Sequence, residues 1–399
     1  MLSALSAMIE SVDPDRRTRR RAHRDAVRRR RTRLGGAALA ALVAGVAVGA
    51  STGGGDPARA PTTPTAREPA AERARKAVDR LTLDQQVGRM VILRFQGTQP
   101  PGYVRRVLRE GRAAGVILFR DNVVSPAQLR ELTETLDQAM PGAIVCTDQE
   151  GGEVRTLPWT GPQAAAPDQA ATGTVRADAT TAGRALKEAG VNVTLAPVAD
   201  IPSVDGAALA GRAFARDPGE AAHAVTDAIR GWHDGGVATT AKHFPGLGGA
   251  TVNTDDGPAR VERSRSELQA DLEPFRAAIA AGTEFMMVSH ATYPALDGLH
   301  IASQSPVIVD DLLRRELGFK GVAMTDSLEA AAVQATGDIE QAALASARAG
   351  VDVILTTGRG SYIHVYRALL AKAKQDPRFR ARVRASAARV LAAQSSLHG

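Results

Sequence analysis

Cysteine is nearly absent: Cys146 is the one thiol in 399 residues. A lone thiol excludes an internal disulfide and a cysteine-based metal cluster, and its place in an apolar run marks it as a small buried hydrophobe. Nucleotide and metal signatures are missing too. No Gly-x-Gly-x-x-Gly follows the first apolar run, and the chain has neither a phosphate loop nor a His-Glu-x-x-His. Dinucleotide chemistry, nucleotide-driven reactions and zinc hydrolysis therefore lack sequence support, and neither cofactor nor metal is expected. Charge imbalance is missing from most of the chain. The net charge is +7, but eleven Arg against four acids precede residue 36, which leaves 39 basic and 39 acidic residues elsewhere. An electrostatic footprint for nucleic acid would rest on the tail alone, so no nucleic-acid partner is expected.

What the tail does contain points to export. The Arg-rich stretch runs into residues 35–50, sixteen uncharged Gly, Ala, Leu and Val ending in Val48-Gly49-Ala50. A basic flank, an apolar block and small residues form the pattern of a secretory signal. The same pattern fits an uncleaved anchor with its Arg held inside, although sixteen residues are short for a spanning helix. The expectation is an extracellular or cell-envelope protein, membrane-associated through residues 35–50 if that segment is kept. Residues 51–71, with Thr, Pro, Gly and Ala and no apolar period, read as a flexible linker. A single catalytic domain is expected over 72–399, acting as a monomer.

Within that domain short apolar runs alternate with helical patterns. Strands are expected at 90–93, 115–119, 143–147, 191–196, 237–241, 285–289, 321–325 and 351–356, with helices at 126–140, 170–190, 218–235, 264–281 and 339–350. Thr82 and Gln85 have the spacing of a capping box ahead of the first strand. Strand–helix alternation implies parallel βαβ units. Eight units over this length predict a closed (β/α)8 TIM barrel, with an open doubly wound sheet as the alternative. About forty residues follow the last strand, and 380–394 is helix-like.

In such a barrel the chemistry gathers where strands end at the C-terminal rim. Those ends carry Asp148-Gln149-Glu150-Gly151-Gly152 after strand three, Asp200 after strand four, Lys242-His243 after strand five, His290 after strand six and Asp326 after strand seven. Carboxylates converging with Lys, Arg and His suit a neutral polyhydroxylated ligand, whose hydroxyls both donate and accept. Glycoside cleavage needs a carboxylate at the anomeric carbon and a second group to protonate the leaving oxygen.

These stretches, with Gly211-Arg212-Ala213-Phe214, Lys242-His243-Phe244-Pro245-Gly246, Ser289-His290-Ala291-Thr292-Tyr293-Pro294 and Thr325-Asp326-Ser327, resemble glycoside hydrolase family 3. The similarity runs from about residue 81 to residue 391 and is nearest the single-domain bacterial β-N-acetylhexosaminidases that act on peptidoglycan. It implies a TIM barrel, amino-sugar glycosides as substrates and a retaining mechanism with Asp326 as nucleophile; the alternative for Asp326 is a helix cap. It implies Asp148, Arg212, Lys242 and His243 as sugar-holding residues, and Arg155 and His290 are assigned to substrate binding with them.

The chain departs from the family pattern at two places. The Arg pattern after Gly151-Gly152 is shifted, leaving Arg155 in the second Arg's role. More consequentially, Asn253-Thr254-Asp255 stands where the branch has Asp-Ser-His, Leu247 stands at another common His, and no His lies between His243 and His290. Three readings follow in order: Asp255 (or its neighbour Asp256) is the acid/base, the protein binds amino sugars with feeble turnover, or phosphate is the acceptor and the enzyme is a phosphorylase.

Overall fold

The computed structural model describes residues 70–397. The export segment expected over 1–50 and most of the 51–71 linker lie outside the described residues. Eight parallel strands close into a barrel: β1 (Val91–Arg94), β2 (Gly115–Leu118), β3 (Ile144–Thr147), β4 (Val193–Thr194), β5 (Ala238–Phe244), β6 (Phe285–Val288), β7 (Val322–Ser327) and β8 (Val353–Thr356). The ring order is β1-β8-β7-β6-β5-β4-β3-β2, and it closes where Val91 pairs with Ile354. The expected (β/α)8 architecture is the observed one.

Successive side chains on each strand point to opposite faces. Ile92, Ile117, Cys146, Val193, Met287, Met324 and Leu355 meet in one apolar cluster inside the barrel. Val91, Leu93, Val116, Leu118 and Val145 join the larger cluster beneath the helices. Both faces are apolar, which is why the strands read as unbroken hydrophobic runs. Cys146 is fully buried, and burial pushes its thiol pKa up, away from thiolate chemistry.

Local chemistry sets the helix ends. Thr82 Oγ1 accepts from the Gln85 N–H and Gln85 Oε1 accepts from the Thr82 N–H, the capping box its spacing predicts. The helix expected over 170–190 is two helices, Ala166–Thr172 and Val175–Glu188, because Gly173 turns left-handed at φ 68° and stops the first. The one expected over 264–281 divides at Leu272, just before Pro274, whose ring cannot donate to a continuing helix. The final helix, Pro377–Ser396, plugs the barrel floor: Val390 enters the inner cluster, and Gln394 Nε2 donates to Ala114 O at 3.1 Å and Gly142 O at 2.9 Å. Among the described residues no helix is long and apolar enough to cross a membrane.

Two strands run beyond their apolar pattern, which corrects where the site residues sit. The Lys242 N–H donates to Pro197 O at 3.1 Å and the Ala199 N–H to Lys242 O at 2.6 Å, so β5 stays paired through Phe244. Lys242 and His243 therefore lie on strand five, and Asp326 lies on β7, not in the loops that follow. Side chains on paired backbone are held more tightly than side chains on loops.

The loop after β5 is strapped across the rim. A Cβ on Gly248 would come 1.8 Å from Ile201 O, so only glycine lets the loop lie against the segment after β4. The Ser203 N–H donates to Gly248 O at 3.1 Å, and the Val261 N–H to Thr292 O at 2.9 Å, on the hairpin of Thr292–Tyr293 with Asp297–Ile301 that follows β6. The Ala332 N–H donates to Thr254 O at 3.0 Å, tying the loop to the segment after β7.

Candidate active site

Asp326 sits near the end of β7 with its side chain 20% exposed. Oδ1 accepts from the Ser327 N–H at 2.7 Å, and Oδ2 lies 3.7 Å from His243 Nε2. Burial by itself would raise the pKa of this carboxyl. The nearby His243, His290 and Lys242 and the Ser327 N–H outweigh it, so the pKa is held below the usual Asp value and the group is ionised. The cap alternative does not fit: the next helix, Ala331–Gln334, starts five residues on and its Ala330 cap position makes no side-chain hydrogen bond.

His243 is oriented from behind. Its Nδ1 lies 2.7 Å from Asp200 Oδ2, and Asp200 also accepts the His243 N–H at 3.2 Å and the Leu247 N–H at 2.6 Å. Asp200 is fully buried, and this ring of donors satisfies its oxygens. With Nδ1 donating to the carboxylate, Nε2 faces the cleft and Asp326. Leu247 is buried in the core, and its backbone serves Asp200.

Lys242 is 3% exposed, and Nζ lies 2.6 Å from Asp148 Oδ1 and 2.6 Å from Glu150 Oε1. Burial pulls its pKa down, but the two carboxylates override this and raise it, so the ammonium stays charged. Arg212 forks onto Glu150, Nε to Oε2 at 2.8 Å and Nη2 to Oε1 at 2.7 Å. Burial would raise Glu150, yet Lys242 and Arg212 hold it well below the usual Glu range. Asp148, 27% exposed, forms the open end of this chain of charges and can accept from sugar hydroxyls.

Two expected binding residues are engaged elsewhere. Arg155, on the Gln149–Gly151/Val154–Arg155 hairpin, donates Nε to Gly152 O at 2.7 Å and Nη1 to Gln163, so its guanidinium braces its own loop. His290 is fully buried: Nδ1 lies 2.8 Å from Ser303 Oγ and Nε2 3.1 Å from Ser327 O. Burial lowers its pKa although the Asp326 charge opposes this.

Asp255 is exposed on the strapped loop, with its carbonyl accepting from the Ala331 N–H at 3.4 Å. Desolvation first, then the Asp326 charge, push its pKa above the ordinary Asp value, against opposing pulls from His243 and Arg212. The Asp326 carboxylate is held below the usual Asp range while the Asp255 carboxyl is raised above it in part by the Asp326 charge, so the two are pushed in opposite directions. Among the described residues no cluster of three or more metal-ligating side chains occurs.

A family model described as the glycosyl hydrolase family 3 N terminal domain matches residues 82–393. The chain belongs to glycosyl hydrolase family 3. An uncharacterized secreted glycosyl hydrolase of Arthroderma benhamiae is 36% identical over 299 residues, covering 70% of this chain and 84% of that one. A beta-hexosaminidase of Stenotrophomonas maltophilia is 34% identical over 278 residues, covering 67% of this chain and 82% of that one. Among solved structures, a family 3 beta-N-acetylglucosaminidase from Paenibacillus superposes with a TM-score of 0.76 at 32% identity, covering 80% of this chain. This chain spans only 63% of that protein's length. A beta-N-acetylhexosaminidase from Beutenbergia cavernae gives 0.72 at 35% identity, covering 79% of this chain and 99% of that one.

Two residues central to this family 3 site carried no assigned role in the sequence reading. Glu150 bridges Lys242 and Arg212, and Asp200 orients His243. Asp200 was visible as a charged strand end. Glu150, two residues past Asp148 with Gln149 between, gave no sign that it would be the buried one.

Proposed function

We propose that the chain is a retaining, exo-acting glycoside hydrolase that removes terminal β-linked N-acetylglucosamine from peptidoglycan fragments. The observation that carries this reading is the Asp326 carboxylate at the strand end, 3.7 Å from His243 and held below the usual Asp range, with the pKa of Asp255 raised in part by its charge. Asp326 attacks the anomeric carbon as Asp255 gives its proton to the departing glycosidic oxygen. The C1–O bond breaks as the bond to the Asp326 carboxylate forms. Asp255, now ionised, takes a proton from water, which attacks C1 from the opposite face and frees Asp326. Asp148 and His243 Nε2 accept from ring hydroxyls while Lys242 and Arg212 donate to them.

The amino-sugar preference draws on relatives described as hexosaminidases and N-acetylglucosaminidases, and the peptidoglycan source on the branch the motifs resemble. Export draws on the signal-like tail and on a relative described as secreted. The test compares aryl β-N-acetylglucosaminide with aryl β-glucoside on the purified chain and on Asp326→Ala. Turnover of the former, abolished in the variant and independent of added phosphate, is expected. Full activity in Asp326→Ala overturns the mechanism, a phosphate-dependent rate makes the enzyme a phosphorylase, and tight binding without turnover makes it a sugar-binding protein.

A further inference from the structure

A second recess opens on the rim away from the sugar-holding residues. Its volume is about 260 Å³, and its walls include Arg94 and Phe95 at the end of β1, Tyr103 on the following helix, and Thr357, Gly358 and Arg359 after β8. In the closed ring, β1 stands across the barrel from β5, which carries Lys242 and His243, and β8 adjoins β7 on the side away from β6. The recess is joined to the catalytic strand. Thr357 Oγ1 and Ser327 Oγ share a 2.6 Å hydrogen bond, and Ser327 follows Asp326. The recess therefore adjoins the catalytic strand on its β8 side, away from β6 and β5.

The charged residues among those that line the recess, Arg94 and Arg359, are both cationic. Arg94 Nη2 is matched by Asp121 at 3.1 Å, with the guanidinium stacked 4.6 Å over Phe119 and Nε buried without a partner. The nearby Glu329 carboxylate is turned inward, accepting from the Thr357 N–H at 2.8 Å and from Thr357 Oγ1 at 2.9 Å. Arg359 is exposed, and among the described residues it has no acidic partner. Tyr103 is 51% exposed beside it; burial raises the phenol pKa and the Arg359 charge opposes that rise. An unmatched guanidinium over a small aromatic-walled recess, next to a donor without an acceptor, is suited to a planar anion.

We propose that this recess binds a carboxylate carried by the aglycone of the substrate, with Arg359 as its charge partner and Tyr103 as the apolar wall. The proposal rests on the glycosidase reading above and adds to it a preference for acidic leaving portions.

The experiment uses two substrates, the β-N-acetylglucosaminides of 4-hydroxybenzoate and of 4-hydroxybenzamide, which differ in one charge. The ratio of their kcat/KM values is taken for wild type, Arg359→Gln and Arg359→Lys, so that leaving-group reactivity cancels between proteins. A fall in the acid-to-amide ratio of about fivefold in Arg359→Gln, retained preference in Arg359→Lys, and weakening of the wild-type preference with salt are expected. A ratio the same within twofold in wild type and Arg359→Gln overturns the proposal. If wild type turns over neither glycoside, the activity reading has failed. The pair is then compared by dissociation constant, where an Arg359-dependent preference for the acid supports the recess and equal affinities overturn it.

Discussion

Asp200 Oδ2 and His243 Nδ1 lie 2.7 Å apart, and that contact turns the opposite ring nitrogen towards Asp326, 3.7 Å away. The same carboxylate accepts two backbone N–H groups, from His243 and Leu247, so one buried charge fixes both the imidazole and the start of the loop after β5.

Asp200→Asn removes that charge and lets the amide present its NH2 group to Nδ1, favouring the other tautomer. We expect kcat/KM to fall by about 100-fold or more while the barrel stays folded. Steady-state kinetics, a pH profile and thermal unfolding check this together. An unchanged profile with loss confined to stability would make Asp200 purely structural.

Asp326→Ala removes the nucleophile. We expect kcat to drop by about a thousandfold or more. Added azide should restore part of the rate by attacking the anomeric carbon in its place. Detection of the inverted α-glycosyl azide is the decisive measurement, since a residue that only binds sugar gives no such product.

Asp255→Ala separates proton donation from binding. Aryl glycosides with strongly acidic leaving phenols need little help, so their loss should be smaller by a factor of about ten or more than that of poor leaving groups. The sign of the pH dependence follows from the two shifts. Asp326, with its pKa lowered, must be ionised, so activity falls on the acid side as pH drops through that lowered value. Asp255, with its pKa raised, must be protonated for the first step, so activity with poor leaving groups falls as pH rises through the raised value. The alkaline limb should disappear in Asp255→Ala, and equal losses for good and poor leaving groups would remove Asp255 from the acid/base role.

At the opposite end of the barrel, Asp352 is fully buried and accepts from Arg314, from Arg389 at 2.9 Å, from Ser386 Oγ at 2.8 Å and from the Ala323 N–H at 3.1 Å. Asp352→Ala leaves two guanidinium groups without their counter-charge. Denaturant titration should register a loss of about 3–5 kcal/mol. The kcat of the fraction that remains folded should match wild type, because this cluster sits at the starts of β7 and β8.

Much of this is legible in the amino-acid sequence. The eight apolar runs stand within a few residues of the eight barrel strands because strands buried on both faces leave a continuous hydrophobic signal. The strand ends bore the charges that face the cleft, and the family motifs followed from them. The helix break at Gly173 was less visible, since a single glycine inside a helical pattern is compatible with either outcome. The hairpin of Thr292–Tyr293 with Asp297–Ile301 and the helix Ser361–Gln375 were not anticipated at all.

By itself the sequence determined the barrel, the rim and the inventory of groups on it, since periodicity and residue type are local properties. Only the tertiary structure decided how those groups are paired. It bound Arg212 and Lys242 to Glu150, set Asp200 behind His243, turned Arg155 onto its own loop and buried His290 behind Asp326. It also tied the loop that carries Asp255 to the segment after β7, joining Thr254 to Ala332, residues 78 positions apart in the chain. Charge pairing and desolvation depend on distances of a few ångströms between separate strands, and no spacing along the chain encodes those distances.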